Sequence, residues 1–295
     1  MTGEPVVIAG AGPAGLAAAI QLRRSGIDPL VLERAEPGGL LRSAGMVENH
    51  PGFPDGISGP DLVRLIVRQA ERWGVRIRAG EATALFRKDD RLEIRSTAGT
   101  FTARAAVIAT GTKPRLWTGP AGAEEAEDRI DYEIHAIRDA RDERIAVIGA
   151  GDAAFDYALT LSERNDVFLM NRGRRTRCLP LLKERALARN RVRYEEETVV
   201  KEIRPAAEGG WELRRTGPGG GGTIAVDRLV AAVGRVPNLE WTGGTADDIL
   251  RGDHTGNLHL VGDAGNGEDR QTAVAAGEGV RAAMRIARYL GEESS

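Results

Sequence analysis

Thiols are almost absent from this sequence. Its 295 residues include one cysteine, Cys178. A lone thiol excludes an internal disulfide, a redox-active CxxC pair and a cysteine-rich metal centre. Histidine is nearly as scarce, with only His50, His135, His254 and His259. None forms a metal pair at helical spacing and there is no HExxH, so no metal site is expected. Aromatic residues make up 4% of the chain, which leaves Ala, Val, Leu and Ile to fill the interior. An excess of either charge is also missing. The 41 basic residues, only four of them lysine, face 43 acidic ones, for a net charge of −2. Bulk charge therefore draws neither nucleic acid nor an anionic membrane, and no nucleic-acid partner is expected.

A long apolar run is lacking as well. Pro5 to Gln21 carries no charge, but Gly10, Gly12, Pro13 and Gly15 interrupt it. A membrane helix needs about 20 apolar residues. The opening Met1-Thr2-Gly3-Glu4 lacks the positive charge of a secretory signal. Neither signal nor membrane span is expected, which points to a cytoplasmic protein. The composition, 41% hydrophobic and 28% charged, is that of a globular chain. At roughly 100–200 residues per domain, its length suggests two domains.

What is present is glycine, in a meaningful place. Val6-Val7-Ile8-Ala9 is a continuous apolar run, as expected of a strand buried on both faces of a parallel sheet. Gly10-Ala11-Gly12-Pro13-Ala14-Gly15 follows as GxGxxG, and Leu16 to Ser25 reads as a helix closed by Gly26. A second apolar strand, Pro29 to Leu32, ends in Glu33. Gly10 permits the tight turn, Gly12 admits a pyrophosphate, and Gly15 lets helix and strand pack closely. The helix N-terminus offers free N–H groups to the phosphates, and Glu33 stands where an acid can accept from ribose hydroxyls. A glycine-rich turn without a ligand is the plain alternative.

The pattern returns about 140 residues later. Arg144 to Ile148 reads as a strand, Gly149-Ala150-Gly151-Asp152-Ala153-Ala154 is GxGxxA, and Phe155 to Ser162 continues as a helix. Val167 to Met170 is the next strand, followed by Asn171-Arg172-Gly173-Arg174-Arg175-Thr176-Arg177. No carboxylate stands at the ribose position, and arginines crowd behind it. A carboxylate would repel a 2′-phosphate and arginine accommodates one, so this site should prefer NADPH to NADH. A solvated arginine-rich loop is the alternative. The first site should hold a nucleotide with free ribose hydroxyls, as FAD has.

Further stretches carry a family resemblance. Gly38-Gly39 before Leu40, Val47 to Pro54, Val107 to Gly111, Gly234 to Asn238, Leu260 to Ala264, Arg270-Gln271-Thr272 and Ala276 to Gly279 occur in order along nearly the whole chain. In this the chain resembles the low-molecular-weight thioredoxin reductase group of flavoproteins. The resemblance implies an α/β fold with two Rossmann-like dinucleotide-binding domains in three ββα layers. The NAD(P)H domain (residues 115–243) would be inserted into a discontinuous FAD domain (1–114 and 244–295). Thr112–Arg115 and Arg235–Leu239 would form the hinge between them, about which the inserted domain rotates. It also implies FAD contacts from Gly39, Leu40, Asn49, Thr110, Gly111, Gly262, Asp263, Arg270, Gln271 and Thr272, and a homodimer.

The resemblance breaks at one place. Thioredoxin reductases carry a CxxC whose first cysteine lies 17 positions before the first glycine of the second motif. Here those positions hold Tyr132 and His135. The stretch from Tyr132 onward, with Asp156-Tyr157-Ala158 after the second glycine motif, is similar to ferredoxin–NADP reductases built on the same plan. Electrons would then pass from flavin directly to an external acceptor: a ferredoxin, a flavodoxin-like protein, a quinone or another small molecule. Tyr132, His135 and His50 are the candidate catalytic residues, the histidines as proton donors. One alternative is a regulatory FAD protein without productive NAD(P)H use. Another is a reductase that borrows a dithiol from a second chain.

Overall fold

The computed structural model describes residues 2–207, 209–218, 220–245 and 256–292. His254 lies outside them. The chain divides into two compact units. The first comprises Met1–Arg42, Val47–Lys113 and Val236–Ser295. The second comprises Ser43–Met46 and Pro114–Arg235.

In the first unit a parallel sheet runs in the order Arg76–Ala79, Pro29–Glu33, Thr2–Ala9, Gly99–Ile108, with Leu258–Leu260 on the far side. Its register sets Val7 beside Leu30 and Ala106. Gly99–Ile108 also leads an antiparallel meander with Arg91–Ser96 and Ala82–Lys88. Alternate residues of Thr2–Ala9 then face different layers. Val6 and Ile8 pack against Leu16, Ala19 and Ile286 of two helices, while Val7 packs with Leu92, Ile94 and Phe101 of the meander. Both faces are buried, which is why this strand reads as an unbroken apolar run rather than an alternating one. The helices are Pro13–Arg24 and Thr272–Glu292, with Gly59–Arg72 beside them.

The second unit repeats the plan. Its parallel sheet runs Val192–Glu195, Asp166–Met170, Arg144–Ile148, Arg228–Ala231. One face packs on Phe155, Ala158 and Leu161 of helix Asp152–Leu161. The other packs on Ile203, Trp211 and Leu213, from the meander Val199–Pro205, Trp211–Thr216 and Gly222–Val226. Between its last two strands lie Gly217, Pro218, Gly220 and Gly221, residue types that favour a turn.

Both glycine-motif helices begin three residues earlier than their apolar periodicity suggests, at Pro13 and Asp152 rather than Leu16 and Phe155. The last residues of each fingerprint already belong to the helix. Proline at the first helical position is preorganised for it and has no N–H to leave unpaired.

Candidate functional site

The two glycine turns have the same geometry. Gly10 N–H donates to the Leu32 carbonyl at 2.8 Å, and Gly149 N–H to the Met170 carbonyl at 3.0 Å. Gly10 and Gly149 both have positive φ, +104° and +151°. A Cβ on either would lie 2.4 Å from a carbonyl oxygen of the neighbouring strand's end, Ala109 or Ala232. The middle glycines differ in kind. Nothing lies within 4 Å of where a Cβ would stand on Gly12 or Gly151. Each caps a helix without a side-chain hydrogen bond to that helix's N–H groups. Each turn is thus an open cradle lined by free N–H groups at the positive end of a helix, which suits a pyrophosphate.

In the first unit the remaining residues gather around this cradle. Glu33 Oε2 accepts the Ala11 N–H at 2.7 Å and Oε1 that of Ala35 at 3.0 Å. The carboxylate is therefore fixed at the lip of the turn that contains Pro13, Ala14 and Gly15 in its helical arm. Gly38 N–H donates to the Ala11 carbonyl, and Gly39 and Leu40 begin a short 3-10 turn against Gly12. Asn49 Nδ2 donates to Gln271 Oε1 at 2.8 Å, joining the His50 stretch to the segment that enters helix Thr272–Glu292. Thr110 Oγ1 donates to the Asn238 carbonyl, and Gly111 accepts the Asn238 N–H. Gly262 and Asp263 lie in the 3-10 turn Gly262–Ala264. Glu278 holds that turn through the N–H of Gly262 and the amide of Asn266, both at 2.8 Å. Glu278 belongs to a quoted motif, but its bracing role is visible only in the fold.

Four buried side-chain polar atoms in this unit have no partner among the described residues, and besides Trp241 Nε1 and Asn257 Oδ1 two of them lie in the stretches expected to line FAD, His50 Nδ1 and Arg270 Nε. Leaving such atoms unpaired costs about 1–3 kcal/mol each, so a ligand or ordered water is expected to meet them. Together with the open space at Gly12, His50 Nδ1 and Arg270 Nε fit a bound dinucleotide such as FAD.

In the second unit the loop after Met170 departs from a simple cationic patch. Asn171 is 3% exposed. Its Nδ2 donates to the Arg175 carbonyl and to Tyr194 Oη, and its Oδ1 accepts the Gly173 N–H. Asn171 therefore braces the loop from within. Arg174 is paired to Glu197 at 2.8 Å and is neutralised there. Arg172 and Arg177 are exposed and form no ion pair among the described residues. The Arg177 N–H donates to the Ala150 carbonyl at 2.7 Å, so the loop returns to the glycine turn and brings arginine beside it. Asp152 and Ala153 form the first helical turn, with Asp152 Oδ1 accepting the Leu179 N–H. Burial pushes the Cys178 thiol up from its ordinary value, away from thiolate reactivity.

At Tyr132 and His135, the positions compared with the CxxC above, Tyr132 Oη accepts the Trp117 N–H at 3.1 Å. His135 Nδ1 lies 3.4 Å from Ser43 Oγ and 3.6 Å from Glu133 Oε2. Nearby, the Asp156 carboxylate accepts the Gly45 N–H at 2.8 Å, and burial still raises its pKa. A carboxyl whose folded pKa is raised contributes stability at acid pH that is lost as pH rises through that pKa. Asp156→Asn mimics the protonated form and keeps the acceptor for Gly45. It should melt higher than the parent at pH 7, with the gap closing below about pH 4. A gap independent of pH in thermal melts contradicts this account of Asp156.

Among the described residues no cluster of three or more His, Cys, Asp or Glu side chains could hold a metal ion, and no helix is long and apolar enough to cross a membrane. A family model described as "Pyridine nucleotide-disulphide oxidoreductase" matches residues 4–274. The thioredoxin reductase of Streptomyces coelicolor is 33% identical over 302 residues, covering 97% of this chain and 93% of that protein. NADPH-dependent thioredoxin reductase 3 of Arabidopsis thaliana is 30% identical over 310 residues, and the chain spans 58% of its length. The crystal structure of Lactococcus lactis thioredoxin reductase in its FR conformation has a TM-score of 0.87 at 28% identity, over 98% of this chain and 99% of that one. The twin cradles and this near-complete match make the chain a member of the pyridine nucleotide-disulphide oxidoreductase family, an FAD- and NAD(P)H-dependent oxidoreductase of the thioredoxin reductase type.

Proposed function

We propose that this chain takes electrons from NADPH through FAD and passes them to an external acceptor without a disulfide of its own. The observation that carries the reading is the pairing of two dinucleotide cradles with a single, partly buried cysteine. FAD, when bound, supplies the two-electron carrier. The residues that would hold it are Gly10, Gly12, Pro13, Ala14, Gly15, Glu33, Gly39, Leu40, Asn49, Thr110, Gly111, Gly262, Asp263, Arg270, Gln271 and Thr272, in a domain of residues 1–114 and 244–295. Gly149, Gly151, Asp152, Ala153, Arg172 and Arg177, in residues 115–243, would hold NADPH. Tyr132, His135 and His50 are the candidate residues for acceptor chemistry. A cytoplasmic homodimer belongs to the same reading.

The test is direct. Purified with its flavin, the protein should lose its absorbance near 450 nm on anaerobic addition of NADPH. It should not reduce thioredoxin, because no dithiol relay is present. Arg172→Glu should weaken NADPH at least about tenfold, a loss of roughly 1.4 kcal/mol, and leave NADH affinity as it was. No bleaching with either nicotinamide sinks the proposal and favours a regulatory flavoprotein. Thioredoxin reduction by the isolated protein favours a borrowed dithiol instead.

A further inference from the structure

One cluster in the second unit is built like a general acid. The Glu133 carboxylate is shared between two partners. Its Oε1 accepts from Arg235 Nη2 at 3.0 Å, and its Oε2 lies 3.6 Å from His135 Nδ1. Arg235 is only 15% exposed and Glu133 26%, so the carboxylate is held in place rather than free to swing. Ser43 Oγ lies 3.4 Å from the same Nδ1. The Asp131 carboxylate also acts on this ring. His135 Nε2 has no partner among the described residues, and the side chain is 34% exposed. Nδ1 thus faces two oxygens, while Nε2 is the nitrogen left for a ligand. Tyr132, by contrast, has its hydroxyl on the Trp117 N–H.

This arrangement favours one tautomer. A carboxylate beside Nδ1 stabilises the neutral ring that carries its proton there. That is the ring left behind when an imidazolium gives up its proton from Nε2. Glu133 therefore selects Nε2 as the nitrogen that donates, and Arg235 keeps Glu133 where it can do so.

The chemistry of the acceptor follows. NADPH delivers a hydride, which is two electrons with one proton. Reduction of a quinone to a hydroquinone consumes two electrons and two protons, so one more proton must come from elsewhere. An iron–sulfur protein taking single electrons needs no such donor. Resting on the function proposed above, we infer that His135 supplies the second proton through Nε2, with Glu133 as its positioning residue, and that the acceptor is a quinone-type small molecule. The sum is NADPH plus quinone plus one proton giving NADP⁺ and hydroquinone, with His135 reprotonated from solvent.

Two acceptors separate this role from a structural one. Ferricyanide takes electrons without protons, and p-benzoquinone takes both. With the flavin-loaded full chain and saturating NADPH, the ratio of quinone to ferricyanide turnover should fall about 100-fold in His135→Gln, the lower end of general-acid contributions. In Glu133→Gln it should fall about tenfold. An independent readout is the ring ¹⁵N spectrum of His135 in the full-length protein. The neutral ring should carry its proton on Nδ1 in the parent and shift toward Nε2 in Glu133→Gln. An unchanged acceptor ratio in His135→Gln overturns the inference, as does an unchanged tautomer in Glu133→Gln. A parent protein that reduces ferricyanide but no quinone also overturns it while leaving the proposed function standing. Reduction of neither acceptor brings down both.

Discussion

Gly12→Val should yield a protein that folds, elutes like the parent and is colourless, whereas Gly151→Val should stay yellow and no longer bleach with NADPH. The two substitutions are matched. Each glycine caps the N-terminus of its helix with extended backbone, φ −73° and ψ −178° at Gly12, φ −99° and ψ 179° at Gly151. Any residue adopts that conformation without strain. Apart from its chain neighbours, no heavy atom of the described residues lies within 4 Å of either new Cβ. The fold therefore has room for the side chain, and the loss of helix-cap quality is on the order of 1 kcal/mol. What the isopropyl group fills is the space between the helix N–H groups and the expected phosphates. Excluding a pyrophosphate from those donors should cost at least two orders of magnitude in affinity, or about 3 kcal/mol. Flavin content per chain and the 450 nm response to NADPH read the two sites separately. Loss of flavin in both variants, or in neither, contradicts the assignment of one nucleotide to each cradle.

Gly15→Ala should be strongly destabilising for a single added methyl. Alanine is ordinarily the better helix former by about 1 kcal/mol. Here its Cβ would stand 1.9 Å from the Gly10 carbonyl oxygen and 3.0 Å from its carbon, both backbone atoms. Neither can rotate away. Nor can helix Pro13–Arg24 retreat freely. It is packed on helix Thr272–Glu292, where a Cβ on Gly279 would already lie 2.1 Å from the Ala14 carbonyl oxygen. Overpacking of this kind costs 1–3 kcal/mol and occasionally more. With no side chain able to yield, about 3 kcal/mol is expected. For a chain of this size that is a fall in Tm on the order of 10 °C. The second unit supplies the control, because its equivalent position is already an alanine, Ala154, fully buried. Ala154→Gly there should lower Tm by only a few degrees, since it removes one methyl and adds chain entropy. Equal effects at the two positions would falsify the close-approach argument.

The parts of this protein legible in its sequence share one property: they are local. A strand buried on both faces betrays itself by an unbroken run such as Val6 to Ala9. A turn that must admit phosphate needs glycine at a spacing of two, with glycine or alanine three residues on, and the helix after it follows within the same dozen residues. Both motifs could be read without knowing what packed upon them. The helix starts at Pro13 and Asp152 lay outside that reading only because the fingerprint itself is partly helical.

The arginine loop shows where local reading stops. Four arginines between Arg172 and Arg177 look equivalent in the sequence. The register of Asp166–Met170 against Val192–Glu195 brings the acidic run after Tyr194 alongside them, and Glu197 takes Arg174 out of play. Asn171 likewise braces the loop from within.

By itself, then, the sequence determined that the glycine motif occurs twice and that the chain has no dithiol of its own. The lone Cys178 and the residues at 132 and 135 sufficed for that, because a missing atom type needs no structure to be noticed. Only the tertiary structure decided what stands in the thiols' place. Arg235 meets Glu133 across 102 residues, and Ser43 meets His135 across 92. Such meetings are set by sheet register and by the path of the chain between elements, and no short-range pattern records them. Which His135 nitrogen is left for a ligand is a property of that assembly, not of the residue.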